Sequence, residues 1–438
     1  MKVSVIGLGK LGSPMAACLA AKGLDVIGID TDPRKVEAIN QGRPPVHEPG
    51  LREMLAQAKG RLSAGTAIED AARATEATFV VVATPSEPEG GFSLRYVEPV
   101  CAAIGRALAK RGGYHLVCLT STVMPGMTGG AVRDILEETS GKRCGVDFGL
   151  CYSPEFIALG SVIRDFLNPD MVLIGESDKQ AGDFLEAIYR RVCENNPAAA
   201  RMSFVNAEIT KLAVNSYITT KISFANMLAR ISERSTGADV DVITSALGLD
   251  SRIGPKYLKG AVSYGGPCFP RDNLAMSELA RQLGVPQDLP QTVDRFNRSQ
   301  IFWLADQVTT RTKGRVGILG LTYKPGTDVV EEAAGFLLAG ELAKRGLSVS
   351  AYDPGFAASP SAKLPAGVGL SPTAKDCVQQ SDLVVLATPW PEFAALALDE
   401  WVCPAPPRLV IDCWRVLGHL RDSPRVDYLA LGFGKGFA

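Results

Sequence analysis

The amino-acid sequence predicts an α/β protein with two doubly wound parallel-sheet domains joined by a long central helix. Apolar runs of strand length, without polar alternation, are separated by helical patterns in the first 200 residues and again after residue 300. Between these parts, about thirty residues have helical periodicity and contain no proline. These observations predict three domains, which cover residues 1–200, 201–300 and 301–438.

Length and charge exclude several classes of protein. A chain of 438 residues is longer than one compact core requires, which agrees with more than one domain. Its 46 basic and 47 acidic side chains leave a net charge of −1, which gives no electrostatic footprint for nucleic acid or for an anionic membrane face. No apolar stretch reaches the roughly 20 residues of a membrane span. We therefore expect neither a nucleic-acid partner nor a membrane.

The cysteines and histidines indicate a reduced protein without a metal. The ten cysteines form no C-x-x-C pair, and the three histidines, His47, His115 and His419, lie far apart in the sequence. This distribution argues against zinc sites and against a disulfide framework. The first residues already have the pattern of a strand and leave no room for a signal peptide. We therefore expect a cytoplasmic protein and no metal site.

The first strand leads into a glycine-rich turn that is typical of a dinucleotide site. The strand from Val3 to Ile6 is followed by Gly7-Leu8-Gly9-Lys10-Leu11-Gly12 and then by a helix. In this context the glycines let a pyrophosphate approach the helix N-terminus, as in Rossmann-like domains. Asp30 ends the second strand eighteen residues after Gly12, where a carboxylate accepts the ribose hydroxyls and repels the 2′-phosphate of NADP. The turn therefore predicts NAD. The alternative is an α/β turn that binds nothing.

The C-terminal part repeats this plan without the glycine fingerprint. A strand is predicted at 315–320 and a helix from about Ala333 to Lys344, so this part is a second Rossmann-like domain. Lys324 follows the strand closely, where a basic side chain is well placed to meet a phosphate. The alternative is a lysine in a solvated loop.

The middle of the chain is predicted to contain one long helix. It runs from Asn206 to about Thr236 and spans roughly 45 Å, enough to join two domains or to pack against a second subunit. Lys211 and Asn215 are four residues apart and share a face of this helix. A lysine and an amide together polarise a hydroxyl or stabilise an alkoxide. The alternative is an exposed lysine and a capping or buried amide.

Cys268 differs in its surroundings from the other nine cysteines. It lies in the segment Tyr264-Gly265-Gly266-Pro267-Cys268-Phe269-Pro270-Arg271-Asp272, which predicts a rigid, irregular loop before a helix. A thiol just before a helix N-terminus and near Arg271 is a better nucleophile than an ordinary thiol. The alternative is a buried inert thiol, which is how we interpret the other nine. For Asp272 the alternative is an N-cap.

Two further polar residues have local alternatives to a functional role. Glu155 comes after Ser153-Pro154, so the alternative to a functional role is the start of a helix. Thr122 ends an apolar strand, and the alternative there is simple strand propensity.

Taken together, these segments resemble the UDP-glucose/GDP-mannose dehydrogenase family over essentially the whole chain. Besides the opening turn, the motifs that carry the resemblance are Glu48-Pro49-Gly50-Leu51, Ser121-Thr122-Val123, Ser153-Pro154-Glu155-Phe156, Lys211-x-x-x-Asn215, Arg252-Ile253-Gly254, 265–272 and 320–328. The resemblance implies an NAD-dependent four-electron oxidation of the C6 alcohol of a nucleotide sugar to a carboxylate. It also implies that the reaction passes through a thiohemiacetal and a thioester on Cys268.

The resemblance also implies roles for individual residues. The implied catalytic residues are Cys268, Lys211, Asn215, Asp272, Glu155 and Thr122. The implied contacts with NAD are Gly7, Gly9, Lys10, Leu11, Gly12, Asp30, Lys35, Thr84, Pro85, Thr122 and Arg271. The implied contacts with the nucleotide sugar are Glu155, Phe156, Ile157, Lys211, Asn215, Arg252, Tyr257, Gly265, Lys324 and Arg415.

The three domains acquire functions from the same resemblance. It implies that residues 1–200 bind NAD and that 201–300 form a dimerisation domain carrying the cysteine loop. It further implies that 301–438 bind the nucleotide sugar. The resemblance implies a homodimer with the middle helix at its core and with Arg252 contributed to the site of the other subunit.

Departures from the family pattern leave the substrate open. Ala158 and Leu159 stand where two charges are frequent, Glu331 stands in place of an arginine, and Trp414 displaces the arginine of a D-x-R motif to Arg415. UDP-glucose is our first expectation, and GDP-mannose and UDP-N-acetylhexosamines are the alternatives.

A more distant alternative is a two-electron β-hydroxyacid or 6-phosphogluconate dehydrogenase. These enzymes need no nucleophilic cysteine and no second α/β half, so Cys268 and residues 315–438 argue against them. A non-catalytic binder would be expected to lose the thiol, Lys211 or Asn215, and all three are present.

Overall fold

The computed structural model describes residues 1–286, 288–358, 363–403 and 406–434. The strands are β1 Lys2–Ile6, β2 Asp25–Ile29, β3 Leu62–Gly65, β4 Ala77–Val80, β5 Leu116–Leu119, β6 Gly149–Tyr152, β7 Met171–Glu176, β8 Ala198–Met202, β9 Arg315–Leu319, β10 Ser348–Tyr352, β11 Val368–Leu370, β12 Leu383–Leu386, β13 Arg408–Asp412 and β14 Val426–Ala430. The helices are α1 Gly12–Ala21, α2 Pro33–Asn40, α3 Leu51–Gln57, α4 Ile68–Ala74, α5 Val97–Ala109, α6 Arg133–Ser140, α7 Val162–Leu167, α8 Lys179–Val192, α9 Phe204–Glu233, α10 Val240–Leu249, α11 Phe269–Gln282, α12 Leu289–Arg311, α13 Ala334–Lys344, α14 Pro354–Ala358, α15 Ala374–Gln379, α16 Pro391–Ala394 and α17 Leu398–Trp401.

The chain divides into two compact units. The first unit consists of Met1–Ala213 with Arg281–Leu283, and the second of Val214–Ala280 with Gly284–Ala438. Each unit is built around its own sheet, and α9 begins in the first unit and ends in the second.

The sheet of the first unit is doubly wound. Its strands follow the order β3-β2-β1-β4-β5-β6-β7-β8. Along β5, Leu116 and Cys118 pack into one apolar cluster while Val117 and Leu119 pack into another. Because both faces are covered, the strand is apolar throughout, which is the pattern that the sequence shows.

One pairing in this sheet departs from the predicted parallel arrangement. β6 and β7 pair antiparallel, whereas β7 and β8 are parallel. The β6–β7 connection contains the six-residue α7, whereas the β7–β8 connection contains the fourteen-residue α8. A parallel pair needs a crossover, usually a helix packed on the sheet, and α8 supplies one.

The sheet of the second unit has the order β11-β10-β9-β12-β13-β14, and all its pairs are parallel. Counted from its own first strand, this order equals that of the first six strands of the other sheet. The predicted fold class, two Rossmann-like parallel-sheet domains with a long central helix, is therefore confirmed.

The central helix α9 is only partly covered by the rest of the protein. Leu212 and Ser216 are buried, whereas Ile209 and Tyr217 are exposed. All four follow the helical spacing i, i+3, i+7 and i+8 from Ile209, so one side of this face is covered and the other is not. Around the helix axis these four residues cover a wide arc, so a neighbouring element can bury some of them and leave the others exposed.

Candidate active site

The first βα turn has the geometry of a dinucleotide site. Gly7 has φ +102°, a conformation that L side chains rarely adopt, and a Cβ on Gly12 would overlap the carbonyl oxygen of Gly7. Open space surrounds Gly9, and Lys10 and Leu11 are half-buried in the turn. The first turn of α1 has no acidic side chain and no side-chain cap. Its backbone N–H groups are therefore suited to an anionic ligand.

Asp30 follows β2 beside this turn. Its Oδ2 accepts hydrogen bonds from the Leu8 N–H at 2.8 Å and the Lys35 ammonium at 3.2 Å. Its Oδ1 accepts from the Asp32 N–H at 2.9 Å. The predicted cofactor residues Asp30 and Lys35 thus lie together, and a carboxylate at this place fits the ribose of NAD better than the 2′-phosphate of NADP.

Thr84 and Thr122 join the loops that follow β4 and β5. The Thr84 hydroxyl donates to the Thr122 carbonyl at 2.7 Å, and Pro85 comes next in the first of these loops. The turn after Thr122 is held by Glu208 of α9, whose carboxylate accepts from the Gly126 N–H at 2.6 Å and from a second backbone N–H. Burial raises the pKa of the Glu208 carboxyl group. This contact joins residues about 80 positions apart and has no local signal in the sequence.

Glu155 lies in an irregular segment between β6 and α7. The alternative that placed it at a helix start is wrong, because α7 begins at Val162. The Tyr189 hydroxyl donates to Glu155 Oε1 at 2.8 Å, and the Ser153 hydroxyl donates to Tyr189 at 3.2 Å. Part of the Glu155 side chain is accessible, yet desolvation by the surrounding protein raises the pKa of its carboxyl group to about 7.

Lys211 is brought to the same segment by α9. Its ammonium donates to the backbone carbonyl of Glu155 at 2.8 Å and lies 4.6 Å from the centre of the Phe156 ring. Lys211 is buried, and a cation over an aromatic face is favourable. Ile157 follows and is half-buried. The predicted residues Glu155, Phe156, Ile157 and Lys211 therefore lie together.

Asn215, one turn further along α9, pairs with Asp272 of α11. The Asn215 amide donates to the Asp272 carboxylate at 2.5 Å, and both residues are buried. The N-cap alternative for Asp272 is wrong. The helix begins at Phe269, and the Asp272 N–H already donates to the Cys268 carbonyl at 2.9 Å. Pro270 fits this first turn because the N–H that it lacks has no partner within a helix.

Cys268 immediately precedes α11 and is exposed, whereas the other nine cysteines are buried or half-buried. Burial raises the pKa of the Cys18, Cys101 and Cys193 thiols to about 12. It raises the pKa of Cys144 to about 11 in the same way. Cys268 thus lies at a helix N-terminus, as its sequence context predicted, and it is also exposed.

Two residues of the second unit with implied nucleotide-sugar contacts are exposed, and each contacts a different neighbour. Tyr257 is exposed with φ +65°, and its ring meets the edge of Phe269 at 6.5 Å. The Arg252 side chain is 86% exposed and pairs with Asp250 at 2.6 Å. Arg271, whose implied contact is with NAD, lies in the first turn of α11 and is half-buried.

Two loops of the second unit pack together. Gly265 lies against the backbone of Glu332, and the Gly266 N–H donates to the Glu331 carbonyl at 2.9 Å. Lys324 lies in the same loop as Glu331 and is half-buried. The structure therefore brings the Cys268 loop and the Lys324 loop into contact.

Arg415 has a structural partner. Its guanidinium forms two hydrogen bonds with the Asp241 carboxylate, at 2.7 and 2.9 Å, and a third with the Leu431 carbonyl at 2.9 Å. The side chain is 3% exposed. These contacts account for Arg415 without a ligand, so its implied role in substrate binding remains a prediction.

Comparison with protein-family models gives three matches in chain order. Residues 1–193 match the UDP-glucose/GDP-mannose dehydrogenase family, NAD binding domain. Residues 191–299 match the central domain, and residues 317–419 match the UDP binding domain of the same family. The chain belongs to the UDP-glucose/GDP-mannose dehydrogenase family. The resemblance inferred from the sequence is thus confirmed.

Relatives of the dehydrogenase include proteins named for different sugars. A UDP-glucose 6-dehydrogenase, AglM, of Haloferax volcanii is 35% identical over 422 residues, which cover 95% of this chain and 97% of the relative. A GDP-mannose 6-dehydrogenase of Pseudomonas aeruginosa is 36% identical over 357 residues, 81% of each chain. A solved UDP-glucose dehydrogenase from Pyrobaculum islandicum is 35% identical with a TM-score of 0.89, and the match covers 100% and 98% of the two chains.

The dehydrogenase is therefore an oxidoreductase of the nucleotide-sugar 6-dehydrogenase type, and its cofactor is NAD. The turn at Gly7 and the carboxylate of Asp30 fit that cofactor. In the described part of the chain, no cluster of histidine, cysteine, aspartate or glutamate could hold a metal ion. No helix among the described residues is long and apolar enough to cross a membrane.

Two asparagines of the dehydrogenase hold the segment before Cys268, and neither was predicted from the sequence. Asn226 accepts from the Ala261 N–H and donates to the Val262 carbonyl, each at 2.8 Å. Asn297 accepts from the Tyr264 N–H at 2.8 Å and donates to its carbonyl at 2.9 Å. Each amide thus accepts from a backbone N–H and donates to a backbone carbonyl, as a neighbouring strand would. Such partners are far apart in the sequence and leave no local signal.

Proposed function

We propose that the chain catalyses the NAD-dependent four-electron oxidation of the C6 alcohol of a nucleotide sugar, with UDP-glucose as the substrate. The observation that carries the proposal is the exposed thiol of Cys268 at the start of α11, next to the buried Asn215–Asp272 pair. A relative named for GDP-mannose is about as similar as one named for UDP-glucose. GDP-mannose and UDP-N-acetylhexosamines therefore remain the alternative substrates.

The proposed chemistry divides the oxidation into two steps. The alcohol loses a hydride and a proton to give an aldehyde, and the Cys268 thiol adds to the aldehyde carbon to give a thiohemiacetal. The thiohemiacetal loses a second hydride and proton to give a thioester, and water releases the carboxylate and the thiol. NAD, when bound, accepts each hydride, so one sugar reduces two NAD. A free aldehyde is a poor hydride donor because hydride loss would leave an acylium ion, whereas the tetrahedral thiohemiacetal loses hydride readily, which is the role proposed for the thiol.

Lys211 and Asn215 are proposed to stabilise negative charge on the substrate oxygen. The Lys211 ammonium is held by the Glu155 carbonyl, and the Asn215 amide is held by Asp272. Donors fixed before the reaction stabilise a developing oxyanion without having to reorganise. Asp272 thus acts by orienting Asn215.

Glu155 is proposed to take the proton of the water that attacks the thioester. A carboxyl group whose pKa lies at about 7 is partly ionised at neutral pH and is a stronger base than an ordinary carboxylate. The Tyr189 hydroxyl fixes Oε1. Thr122 is proposed to help hold this water, and its loop is fixed through Thr84.

The domain assignment and the remaining ligand contacts are part of the proposal. Residues 1–200 are assigned to NAD, 201–300 to dimerisation and the cysteine loop, and 301–438 to the nucleotide sugar. The proposed sugar contacts in the second unit include Tyr257, Gly265 and Lys324.

We also propose that the chain forms a homodimer through α9. Among the exposed large apolar side chains of this helix, four lie between residues 217 and 231 with a spacing that places them on one face. They are Tyr217, Phe224, Met227 and Ile231, which we call the α9 stripe. An exposed apolar face of this length is typical of an interface, and a second copy of the chain presents the same face. We further propose a cytoplasmic location, because none of the ten cysteines, all of which the structure describes, forms a disulfide and such a set of free thiols is typical of a reducing compartment.

The experiment that tests the function is the number of NADH formed per nucleotide sugar consumed, over a panel of UDP- and GDP-sugars. We expect two NADH on UDP-glucose. Cys268→Ser should oxidise the alcohol but stall before repeated turnover. Cys403→Ser, which alters a half-buried cysteine, is the control and should behave like the wild type. One NADH per sugar, or full turnover by Cys268→Ser, would exclude the covalent mechanism.

A further inference from the structure

The first βα turns of the two units are built with the same hydrogen bonds. In the first unit the N–H of Leu8 donates to Asp30 Oδ2 at 2.8 Å. In the second unit the N–H of Leu321 donates to Asp353 Oδ2 at the same distance. Each aspartate is the residue immediately after a strand, Asp30 after β2 and Asp353 after β10. Asp353 therefore stands where the ribose-binding carboxylate stands in the first unit.

The glycines of the two turns correspond as well. Gly320 has φ +98°, close to the +102° of Gly7, and a Cβ on Gly335 would overlap the Gly320 carbonyl oxygen as one on Gly12 would overlap that of Gly7. The spacing differs, since five positions separate the glycines of the first turn and fifteen those of the second. The second turn therefore carries an insertion of ten residues within 321–334.

Asp353 holds this insertion. It is fully buried, and its Oδ2 accepts from the Leu321 N–H, the Thr322 N–H at 2.9 Å and the Thr322 hydroxyl at 2.8 Å. The Trp390 indole N–H donates to the same oxygen at 2.9 Å. Oδ1 accepts from the Phe356 N–H at 2.9 Å. Both oxygens are thus used by the protein itself, and the indole adds bulk where a ribose would have to approach.

The insertion connects two proposed functional groups. It carries Lys324, and its Glu331 carbonyl accepts from the Gly266 N–H at 2.9 Å. The Tyr323 ring packs on Gly266, two residues before Cys268. A shift of the 321–334 loop would therefore move Lys324 and the support of the cysteine loop together.

We propose that Asp353 and Trp390 are positioning residues that anchor the 321–334 loop, so that a carboxylate placed as for a dinucleotide ribose serves here to align Lys324 and the Cys268 loop. The kinetic part of this proposal rests on the proposed function. Hydrogen bonds to a buried carboxylate are among the stronger ones in proteins, which makes Asp353 suited to fix an irregular loop.

The test compares Trp390→Phe with Trp401→Phe in the full chain. Trp401 is fully buried in the apolar cluster against which Trp390 packs, and among the described residues its indole nitrogen has no hydrogen-bond partner. Both variants lose an indole, but Trp390→Phe alone loses a bond to Asp353. We expect Trp390→Phe to raise the KM for the nucleotide sugar about five- to tenfold. Its KM for NAD should change less than about twofold, and Trp401→Phe should leave both near the wild-type values.

A second measurement does not depend on catalysis. Limited digestion with a glutamate-specific protease reports on access to Glu331 and Glu332 in the loop. We expect cleavage there to be at least about fivefold faster in Trp390→Phe than in the wild type or Trp401→Phe. Equal cleavage in all three proteins, or a KM increase shared with Trp401→Phe, would overturn the anchor. If no nucleotide sugar is oxidised by the wild type while Trp390→Phe is still cleaved faster, the proposed function fails and the anchor stands.

Discussion

The Glu155 carboxyl group is subject to opposing influences on its pKa. Desolvation raises the pKa, whereas the Tyr189 hydrogen bond and then the charge of Lys211 lower it, and the result is about 7. Three neighbouring thiols also interact with this carboxyl group, and burial raises their own pKa values, so they stay uncharged near neutral pH. They are Cys18, Cys118 and Cys193. Of the two groups that lower the pKa of Glu155, Tyr189 is the easier to test, because Tyr189→Phe removes the hydroxyl and keeps the ring.

We predict that Tyr189→Phe moves the acid limb of the pH–rate profile to higher pH by about one unit. The hydroxyl stabilises the ionised carboxylate by donating to Oε1, so its loss raises the pKa of Glu155 further. Because the proposed base must be ionised, more alkaline solution is needed for the same rate. The measurement is kcat for the wild type and the variant between pH 5.5 and 9.

Tyr114→Phe is the matched control for this prediction. The Tyr114 hydroxyl is buried and has no hydrogen-bond partner in the described part of the chain. Its removal should leave the profile unchanged. An unshifted acid limb in Tyr189→Phe, with a uniformly lower rate at every pH, would show that Tyr189 only supports the fold.

At the scale of elements, the sequence predicted those features whose cause lies in adjacent residues. The glycine turn and α9 were predicted, because turn chemistry and helical periodicity lie in adjacent residues. The partner of Glu155 lies 34 residues away, and that of Arg415 lies 174 residues away. Such contacts exist only after the elements pack. For the same reason, neither the antiparallel β6–β7 pair nor the burial of Asp353 was expected.

The Cys268 loop depends on elements that are distant in sequence, and we predict that Asn297→Ala destabilises it. Asn297 is buried and satisfies the N–H and the carbonyl of Tyr264. Without it two buried backbone groups lose their partner, at a cost of about 2–4 kcal/mol. The apparent Tm should fall by several degrees, which differential scanning calorimetry measures.

Asn195→Ala is the control for the asparagine prediction. Asn195 is exposed and donates one hydrogen bond, to the Pro169 carbonyl at 2.8 Å. Its removal should shift the apparent Tm by less than about one degree. Equal shifts for the two variants would show that the amide of Asn297 does not hold the loop.

At the scale of the whole molecule, the main question is how the chain assembles. The α9 stripe leaves Tyr217 65% and Ile231 52% exposed, which is unusual for a helix that otherwise packs within the protein. Arg252 is also strongly exposed, and it forms an ion pair with Asp250, two residues before it. A dimer through α9 would cover the α9 stripe, and we propose that Arg252 of the partner subunit would then reach the substrate.

We therefore predict that Phe224→Glu, in the middle of the α9 stripe, converts a dimer into a monomer. A charge in an apolar interface is costly because it loses water without gaining a partner. Light scattering after gel filtration should give twice the chain mass for the wild type and one chain mass for the variant.

Val146→Glu changes a comparably exposed side chain outside α9 and should remain dimeric. The monomer should also have a raised KM for the nucleotide sugar, because the proposed contribution of Arg252 of the partner subunit would be lost. A wild-type monomer, or a Phe224→Glu dimer, would exclude α9 as the interface.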